Sequence, residues 1–275
     1  MRISTTDLKK KMLAGEKLTM LTSYGYSMAK MLDNSGIDMI LVGDSVGMIE
    51  LGYSDTLPVT MDDMVHHTQC VVRGSEKAMV VADMPFLSYH ITIEDAVYNA
   101  GRLIQEGGAG CVKLEGGQER VETVKAIINA QIPVMGHIGL TPQSVNQFGG
   151  FKVQGKDAAT AQKAMDDAVA LEKAGAFAIV LEGIPAALAK KITAALSIPT
   201  IGIGAEPNCD GQVLVVNDML GMFPGHVPKF VKHFANLAPV IEQAMQDYKT
   251  EVQAGTFPAA EHCYQIDEEI LKQIK

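Results

Sequence analysis

The sequence predicts an α/β fold: a closed (β/α)8 TIM barrel, that is, a parallel eight-stranded barrel, with extra C-terminal helices. Short apolar runs alternate with amphipathic or alanine-rich segments, which is typical of parallel strands joined by helices. About eight such runs occur within 275 residues, roughly the length that one such barrel needs. No linker rich in proline and serine divides the chain. We therefore expect residues 1–275 to form one domain, in preference to an open doubly wound sheet.

The apolar runs have the length and composition of buried strands. In chain order they are LTMLT (18–22), DMILVG (38–43), MVVAD (79–83), CVKLE (111–115), PVMGHIG (133–139), FAIVLEG (177–183), TIGIGA (200–205) and, with the weakest pattern, VLVVND (213–218). Between them, TIEDAVYNAGRLIQEG predicts a helix that Thr92 caps, with Asp95 completing a capping box and Gly107 ending the helix. A long helical pattern runs from Val227 to Gln253, and the tail after Pro258 predicts a short appended helix.

Composition and charge exclude several classes of partner. The net charge of −9 argues against nucleic acid and anionic membranes, because neither meets a basic face here. No stretch approaches the roughly 18 uninterrupted apolar residues of a spanning helix, and the start of the chain has no apolar leader pattern. The four cysteines are far apart and predict reduced thiols; they are Cys70, Cys111, Cys209 and Cys263. We expect a cytoplasmic protein.

Ionisable side chains stand where the predicted strands end. Asp44 and Asp83 follow the second and third runs, Glu115 ends the fourth, His137 lies near the end of the fifth and Glu182 ends the sixth. In a barrel, the carboxyl ends of the strands carry the active site. These side chains are therefore candidates for one site.

Lys113 and Glu115 are two residues apart within an otherwise apolar run. Strand side chains alternate, so Cys111, Lys113 and Glu115 share the face that points into the barrel, and Val112 and Leu114 face the helices. Taken alone, the polar pair also fits an internal ion pair that holds one layer of the barrel together. The neighbouring carboxylates favour a functional site.

Several carboxylates in one small volume require a compensating cation. Carboxylate oxygens as ligands favour Mg²⁺ or Mn²⁺ over zinc. We take His137 as a hydrogen-bonded residue that orients its neighbours and not as a metal ligand.

Three further motifs carry weaker signals. The glycines of TIGIGA fit a phosphate cradle, but Glu206 follows at once and opposes an anion. The amide-rich and glycine-rich segment 140–155 predicts either a substrate lid or a long turn. His66 and His67 lie in a helical segment and are predicted to pack or to face solvent.

At these residues the sequence resembles the ketopantoate hydroxymethyltransferase family over nearly its whole length. The matching motifs are LTSYGYSMAKMLDNSGIDMILVGDSVGM, LPVTMDDMVHHTQCVVRG, ADMPF, VKLEGG, GHIGLTPQSVNQFGGFKVQG, LEGIP, IGIGA, DGQVLVVNDMLG and FPAAEH. The resemblance implies a barrel of the phosphoenolpyruvate/pyruvate type, Mg²⁺, 3-methyl-2-oxobutanoate as substrate and 5,10-methylenetetrahydrofolate as one-carbon donor. It also implies a homodecamer of two pentameric rings.

The resemblance further implies roles for individual positions. Asp44 and Asp83 would bind Mg²⁺ and contact the keto acid, and Glu115 would complete the metal site directly or through water. Glu182 matches the position of the catalytic base. The remaining substrate-binding positions by motif are Ser45, Lys113 and His137.

The chain departs from the family pattern at a few positions. It has Gly183 where Cys or Ser is common, Gly25 where Asp is common and Glu206 where Gly is common, and its tail after His262 is longer. Two other functions stay open at this point. One is a lyase or mutase of the same superfamily, acting on C–C or C–P bonds of pyruvate-like acids. The other is a non-catalytic binding or scaffold paralogue.

Overall fold

Eight parallel strands close into a barrel in chain order, from β1 to β8. The structure is a computed structural model that describes residues 2–205, 207–222 and 227–274. The strands are β1 Leu18–Thr22, β2 Met39–Val42, β3 Met79–Asp83, β4 Cys111–Glu115, β5 Val134–Gly139, β6 Ala178–Glu182, β7 Thr200–Ile203 and β8 Gly211–Leu214. The predicted (β/α)8 fold class is confirmed, and the first seven strands lie within their predicted runs.

The last strand was predicted at the wrong place. It begins at Gly211 and ends at Leu214, and the second half of the predicted run forms a short helix, Val216–Met219. A Cβ on Gly211 would come within 2.7 Å of the Leu18 carbonyl oxygen of β1. The strand therefore starts on a glycine without an apolar side chain, and the hydrophobic pattern missed that start.

Helices surround the barrel and connect its strands. They are α1 Thr5–Leu13, α2 Tyr26–Asn34, α3 Val46–Ile49, α4 Met61–Gly74, α5 Ile93–Gln105, α6 Val121–Asn129, α7 Val145–Phe148, α8 Ala158–Ala174, α9 Ala186–Ala195, α10 Val216–Met219, α11 Ala238–Ala254 and α12 Glu268–Leu271. In α5 the Thr92 hydroxyl accepts a hydrogen bond from the Asp95 N–H, as predicted, but the Asp95 carboxylate accepts from that hydroxyl and does not complete the predicted box, and the helix ends at Gln105, before Gly107.

The C-terminal helix α11 begins eleven residues later than predicted, at Ala238 instead of Val227. Pro239 lies in its first turn, where a proline is tolerated because that N–H has no partner within the helix. The same residue blocks a helix running through from Val227. The tail contains a 3₁₀ turn, Ala260–His262, and then the single turn of α12.

Alternation along each strand separates two hydrophobic cores. The inner core fills the barrel and includes Leu18, Met20, Met39, Leu41, Met79, Val81, Cys111, Met135, Val180, Ile201 and Val213. The outer core, between strands and helices, takes the alternate residues, among them Val112 and Leu114. The predicted inward face of β4 is thus confirmed.

Helix α1 covers the amino end of the barrel. Its Leu8 is fully buried and belongs to the inner core, beside the first inward residues of the strands. The inward positions near the strand carboxyl ends are polar instead: Asp83, Lys113, Glu115 and His137 are all buried. The inner core therefore ends in a buried polar layer at the opposite mouth.

The structure also bears on the cysteines and on membrane insertion. No disulfide joins the four cysteines Cys70, Cys111, Cys209 and Cys263, all of which the structure describes, and the predicted reduced thiols are confirmed. Within the described part of the chain, no helix is both long enough and apolar enough to cross a bilayer.

A buried carboxylate fixes the connection between α4 and β3. Asp33, on α2, accepts hydrogen bonds from the backbone N–H groups of Lys77 and Ala78, each at 2.8 Å, and from the Ser75 hydroxyl at 3.2 Å. Burial acts to raise the pKa of Asp33, but these hydrogen bonds outweigh it and hold the pKa below its ordinary value. The charged carboxylate therefore stabilises this connection.

We predict that Asp33→Asn lowers the free energy of unfolding at pH 7 by about 1–3 kcal/mol, because hydrogen bonds to a charged acceptor are lost. The folded-state pKa lies below the unfolded value of about 3.9, so this stabilisation is present above that pH. It disappears as the pH falls through the folded-state pKa. Urea unfolding at several pH values should show the gap between wild type and variant closing in acid.

Asp166→Asn, at an exposed carboxylate on α8, is the matched control and should change stability by less than about 0.5 kcal/mol. A gap for Asp33→Asn that stays constant down to pH 3 would show that the charge of Asp33 contributes nothing.

Candidate functional site

Strand register places the polar side chains of the barrel mouth next to one another. Asp83 of β3 pairs with Lys113 of β4, and Glu115 of β4 pairs with His137 of β5. Lys113 Nζ lies 2.8 Å from Asp83 Oδ1, and both side chains are almost completely buried. The lysine inside the strand is therefore the counter-charge of a buried aspartate.

His137 connects this group to Glu182. Its Nδ1 lies 3.4 Å from Glu115 Oε1, and its Nε2 lies 3.3 Å from Glu182 Oε2. Burial and the Lys113 ammonium act to lower the pKa of His137, but hydrogen bonds to Glu115 and Glu182 outweigh them and raise it to about 9. The ring is thus protonated at neutral pH.

Of the two neighbours of His137 Nδ1, one requires this nitrogen to accept a hydrogen bond and the other requires it to donate one. Lys113 Nζ is 3.2 Å away and can only donate, whereas the Glu115 carboxylate can only accept. A protonated ring serves the carboxylate, and that assignment agrees with the raised pKa. His137 therefore faces the Glu115 and Glu182 carboxylates through its two ring nitrogens, although Nε2 makes no well-aligned hydrogen bond.

Asp44 and Asp83 form a pair of like charges at the ends of β2 and β3. The backbone N–H of Asp44 donates to Asp83 Oδ2 at 3.1 Å. Burial, and then the charges of Asp83 and Glu115, raise the pKa of Asp44 well above its ordinary value. Burial also raises the pKa of Asp83, although Lys113 opposes the shift. One lysine does not compensate three carboxylates.

This donor set fits a hard divalent cation. Asp83 Oδ1 is fully buried and has no well-aligned hydrogen-bond donor, although Lys113 Nζ is close to it. Within residues 2–205, 207–222 and 227–274, no three His, Cys, Asp or Glu side chains are arranged as a complete ligand set. Mg²⁺ commonly takes only one or two carboxylates and completes its shell with water and substrate oxygens. Asp44 and Asp83 fit that pattern.

Ser45 and Tyr24 stand beside the aspartates. The Tyr24 hydroxyl and Ser45 Oγ are 2.8 Å apart, and burial raises the pKa of Tyr24. His67 Nδ1 is 2.7 Å from the Tyr24 carbonyl oxygen, and His66 is exposed. The two histidines therefore pack or face solvent, as predicted, and His67 supports the residue that holds Ser45.

Segment 140–155 forms part of the mouth. It contains a 3₁₀ turn, Pro142–Ser144, followed by α7. Gln143 in this turn is buried and donates to Asp44 Oδ2 at 2.8 Å, and the Tyr89 hydroxyl donates to Gln143 Oε1 at 2.6 Å. Sequence reasoning did not assign Gln143 or Tyr89 to the site. The amide-rich composition of the segment was the signal for Gln143, and Tyr89 had none.

Close backbone approach holds Glu182 at the mouth. Gly139 at the end of β5 has φ +97°, and a Cβ there would come within 2.2 Å of the Glu182 carbonyl oxygen. The next N–H, of Leu140, donates to that oxygen at 2.8 Å. Glycine is therefore required where β5 and β6 meet.

The departures from the family pattern fall in different surroundings. Gly183 has φ +55°, which favours glycine, and its N–H donates to the Ile203 carbonyl at 2.9 Å. Gly25 precedes α2, with open space where a side chain would start. Glu206 lies outside the described residues. The Phe230 ring lies within 2.5 Å of where a Gly204 Cβ would be, so this part of TIGIGA makes room for an aromatic ring.

A cavity of about 310 Å³ adjoins Glu115 on the outer side of the mouth. Its lining combines aromatic and charged side chains, including Tyr89, His90, Arg120 and Phe148. Burial, and then the charge of Arg120, lower the pKa of His90 to about 4, so this ring is neutral. The cavity gives a second compartment next to the polar layer.

Comparison with known proteins gives matches over nearly the whole chain. The family model described as ketopantoate hydroxymethyltransferase matches residues 2–260. The 3-methyl-2-oxobutanoate hydroxymethyltransferase of Syntrophomonas wolfei subsp. wolfei is 64% identical over 273 residues, covering 99% of each chain. The protein of the same name from Clostridium novyi is 61% identical over 274 residues and covers 100% of each chain.

Solved structures share the barrel at much lower identity. Phosphonopyruvate hydrolase, determined in complex with oxalate and Mg²⁺, superposes with a TM-score of 0.61 at 13% identity, covering 98% of this chain and 94% of that one. The 2,3-dimethylmalate lyase, a member of the PEP mutase/isocitrate lyase superfamily, gives 0.59 at 14% identity, covering 99% and 91%. These likenesses show the fold.

The Lys113–Asp83 pair gives a test of the site's electrostatics. We predict that Lys113→Met, measured in EDTA, lowers the free energy of unfolding by about 3–5 kcal/mol, because it leaves buried carboxylates without their cation. Adding Asp83→Asn should restore most of that loss. Urea unfolding of both single variants and the double variant measures the coupling.

Lys163→Met is the matched control, since Lys163 pairs with Asp167 but keeps 63% of its side chain exposed. It should cost no more than about 1 kcal/mol. Strictly additive losses in the Lys113–Asp83 cycle would contradict the assigned pairing.

Proposed function

The chain belongs to the ketopantoate hydroxymethyltransferase family, and we propose that it transfers a hydroxymethyl group to 3-methyl-2-oxobutanoate, forming 2-dehydropantoate (ketopantoate). We propose 5,10-methylenetetrahydrofolate as donor and Mg²⁺ as the metal. One structural observation supports this function in addition to family membership. A carboxylate pair with its lysine and a separate carboxylate with its histidine meet at one barrel mouth.

Asp44 and Asp83 are the residues that would hold Mg²⁺, with Glu115 completing the site directly or through water. When bound, Mg²⁺ would polarise the 2-oxo acid and so make a proton at its C3 carbon easier to remove. The two aspartates supply hard oxygen ligands at neighbouring strand ends, which leaves room for substrate oxygens. Burial raises the pKa of both aspartates, and a bound cation would oppose that shift.

In this proposal Lys113 and Ser45 bind the keto acid. Burial acts to lower the pKa of Lys113, but the charges of Asp83 and Glu115 outweigh it and raise the pKa, so the side chain is an ammonium at neutral pH. An ammonium attracts the carboxylate of the substrate. Ser45 Oγ is half-buried and held by Tyr24, which leaves the hydroxyl near the aspartates available for a hydrogen bond.

In this proposal Glu182 accepts the C3 proton. Its side chain is 15% exposed, against 3% for Asp83 and Glu115, so it is the most accessible carboxylate of the group. His137 Nε2 lies 3.3 Å from Glu182 Oε2 without a well-aligned hydrogen bond, so a protonated ring would attract the carboxylate through its charge. The substrate carbanion then forms a C–C bond to the methylene carbon of the donor, and water supplies the hydroxyl oxygen as tetrahydrofolate leaves.

The requirement for a one-carbon donor distinguishes this function from a lyase or mutase reaction on a similar acid. Product formation from 3-methyl-2-oxobutanoate should require methylenetetrahydrofolate. Cleavage of a C–C or C–P bond in a pyruvate-like acid without folate would indicate a lyase or mutase instead. Calorimetric binding of the keto acid with no turnover under any condition would indicate a non-catalytic binding protein.

We predict that Glu182→Gln folds and binds the keto acid with Mg²⁺ but loses C3 exchange and turnover by at least 100-fold, because an amide cannot accept the proton. The measurement is loss of the C3 proton of 3-methyl-2-oxobutanoate in D₂O, with Mg²⁺ and without folate. Glu119→Gln, at an exposed glutamate of the neighbouring cavity, is the matched control and should keep normal exchange.

Exchange in Glu182→Gln within a few-fold of wild type would transfer the proton to another group. His137, which touches Glu182, would then be the first to substitute.

We also propose that the chain forms a homodecamer in the cytoplasm. Helix α11 supports self-association, because its described residues include none that is buried. Its large apolar side chains are exposed; they are Val240, Ile241, Met245, Tyr248 and Val252. Solvent-exposed apolar groups of this size favour burial against another surface.

We predict an assembly of ten chains by multi-angle light scattering at micromolar concentration. Replacing Met245 and Tyr248 by Ser should reduce the mass, because apolar area at the contact is lost. A monomer for the unmodified chain would exclude the assembly.

A further inference from the structure

Segment 140–155 is attached at both ends to the strand that carries Glu182. At its start, the Leu140 N–H donates to the Glu182 carbonyl at 2.8 Å, and near its end the Gln154 N–H donates to the Gly183 carbonyl at 3.0 Å. Between these anchors the 3₁₀ turn closes through a 2.8 Å hydrogen bond from the Ser144 N–H to the Thr141 carbonyl. The turn therefore presents its middle residue, Gln143, to the mouth of the barrel.

Gln143 reaches three different strand ends. Its side-chain Nε2 donates to Asp44 Oδ2 at 2.8 Å, after β2, and to the Met84 carbonyl at 3.0 Å, after β3. Its backbone N–H donates to Glu115 Oε2 at 3.0 Å, at the end of β4. Gln143 is itself only 5% exposed. One loop residue thus engages one oxygen of each of two carboxylates that would otherwise repel.

Tyr89 fixes which way the Gln143 amide points. The Tyr89 hydroxyl accepts a hydrogen bond from the Glu115 N–H at 3.2 Å, so its own proton is available to Gln143 Oε1 at 2.6 Å. The opposite amide orientation would set Oε1 against the Asp44 carboxylate and the Met84 carbonyl, which only accept. Only the observed orientation satisfies the Tyr89 hydroxyl, the Asp44 carboxylate and the Met84 carbonyl together.

We propose that Gln143 is a positioning residue of the metal site, which holds Asp44 through its side chain and Glu115 through its backbone. This inference rests on the proposed magnesium site. Two carboxylates on different strands repel each other, so each needs a hydrogen-bond donor that holds it in position. Gln143 supplies a donor to both from one element. Partners of this kind, one step from the metal, typically control metal affinity by 10- to 100-fold when they are removed.

Metal affinity tests this role directly. Gln143→Ala should raise the Kd for Mg²⁺, measured by calorimetry, and for Mn²⁺, measured from the EPR signal of the free ion, by about tenfold or more. Gln143→Asn gives a second variant, because the shorter amide keeps polarity but loses reach to Asp44. Gln147→Ala, at an exposed glutamine of the same segment, is the matched control and should bind both ions as wild type does.

Tyr89→Phe separates orientation from packing. It keeps the ring but removes the hydroxyl that fixes the amide, so we expect a smaller rise in Kd, about threefold. Because Tyr89 acts through Gln143, adding Tyr89→Phe to Gln143→Ala should weaken metal binding little further. A purely structural role would lower thermal stability in EDTA in all these variants and leave the two Kd values unchanged.

The outcomes are distinct. Wild-type affinities in both Gln143 variants, with a folded protein by circular dichroism, overturn the positioning role while the proposed function stands. An unmodified protein that binds neither Mg²⁺ nor Mn²⁺ overturns the metal site itself, and the role of Gln143 with it. A tenfold loss in Gln143→Ala and Gln143→Asn but not in Gln147→Ala supports the inference.

Discussion

The mouth of this barrel depends on one electrostatic constraint: several carboxylates are buried together, and their charge has to be compensated. An unpaired buried charge costs several kcal/mol, so each acidic side chain needs a partner. The protein supplies Lys113 to Asp83 and protonated His137 to Glu115 and Glu182, and amide donors at Gln143. Asp44 receives the Gln143 amide and not a cationic side chain, and burial and the charges of Asp83 and Glu115 raise its pKa well above the ordinary value. A cation at the Asp44–Asp83 pair would relieve that repulsion.

The barrel itself makes this arrangement possible. In a parallel sheet, paired residues on neighbouring strands point the same way, so the register that sets Asp83 beside Lys113 and Glu115 beside His137 also aims all four inward. Below them, the apolar inner core and Leu8 of α1 fill the barrel. The polar layer thus rests on a packed support, which holds the side chains rigidly enough for binding and proton transfer.

The same barrel carries different reactions in phosphonopyruvate hydrolase and 2,3-dimethylmalate lyase, so the fold alone does not choose the chemistry. In this chain the division of labour lies in the side chains. Asp44 and Asp83 are nearly inaccessible, whereas Glu182 is more open and lies 3.3 Å from the His137 ring. That separation keeps the group proposed to take the proton apart from the groups proposed to hold the metal.

Much of this arrangement was determined by the sequence alone. The apolar runs predict seven of the eight strands. Alternation along a strand then places Lys113 and Glu115 on the inward face, whatever their neighbours are. Local patterns could not locate the start of β8, which depends on close contact with Leu18. The predicted helix from Val227 also extended past Pro239, which lies in the first turn of α11.

Local sequence patterns also could not place Gln143 against Asp44, 99 residues away in the chain, or Tyr89 beside both Gln143 and Glu115. Such contacts are decided only when the barrel closes, because only the register and the returning loops determine which distant residues become neighbours.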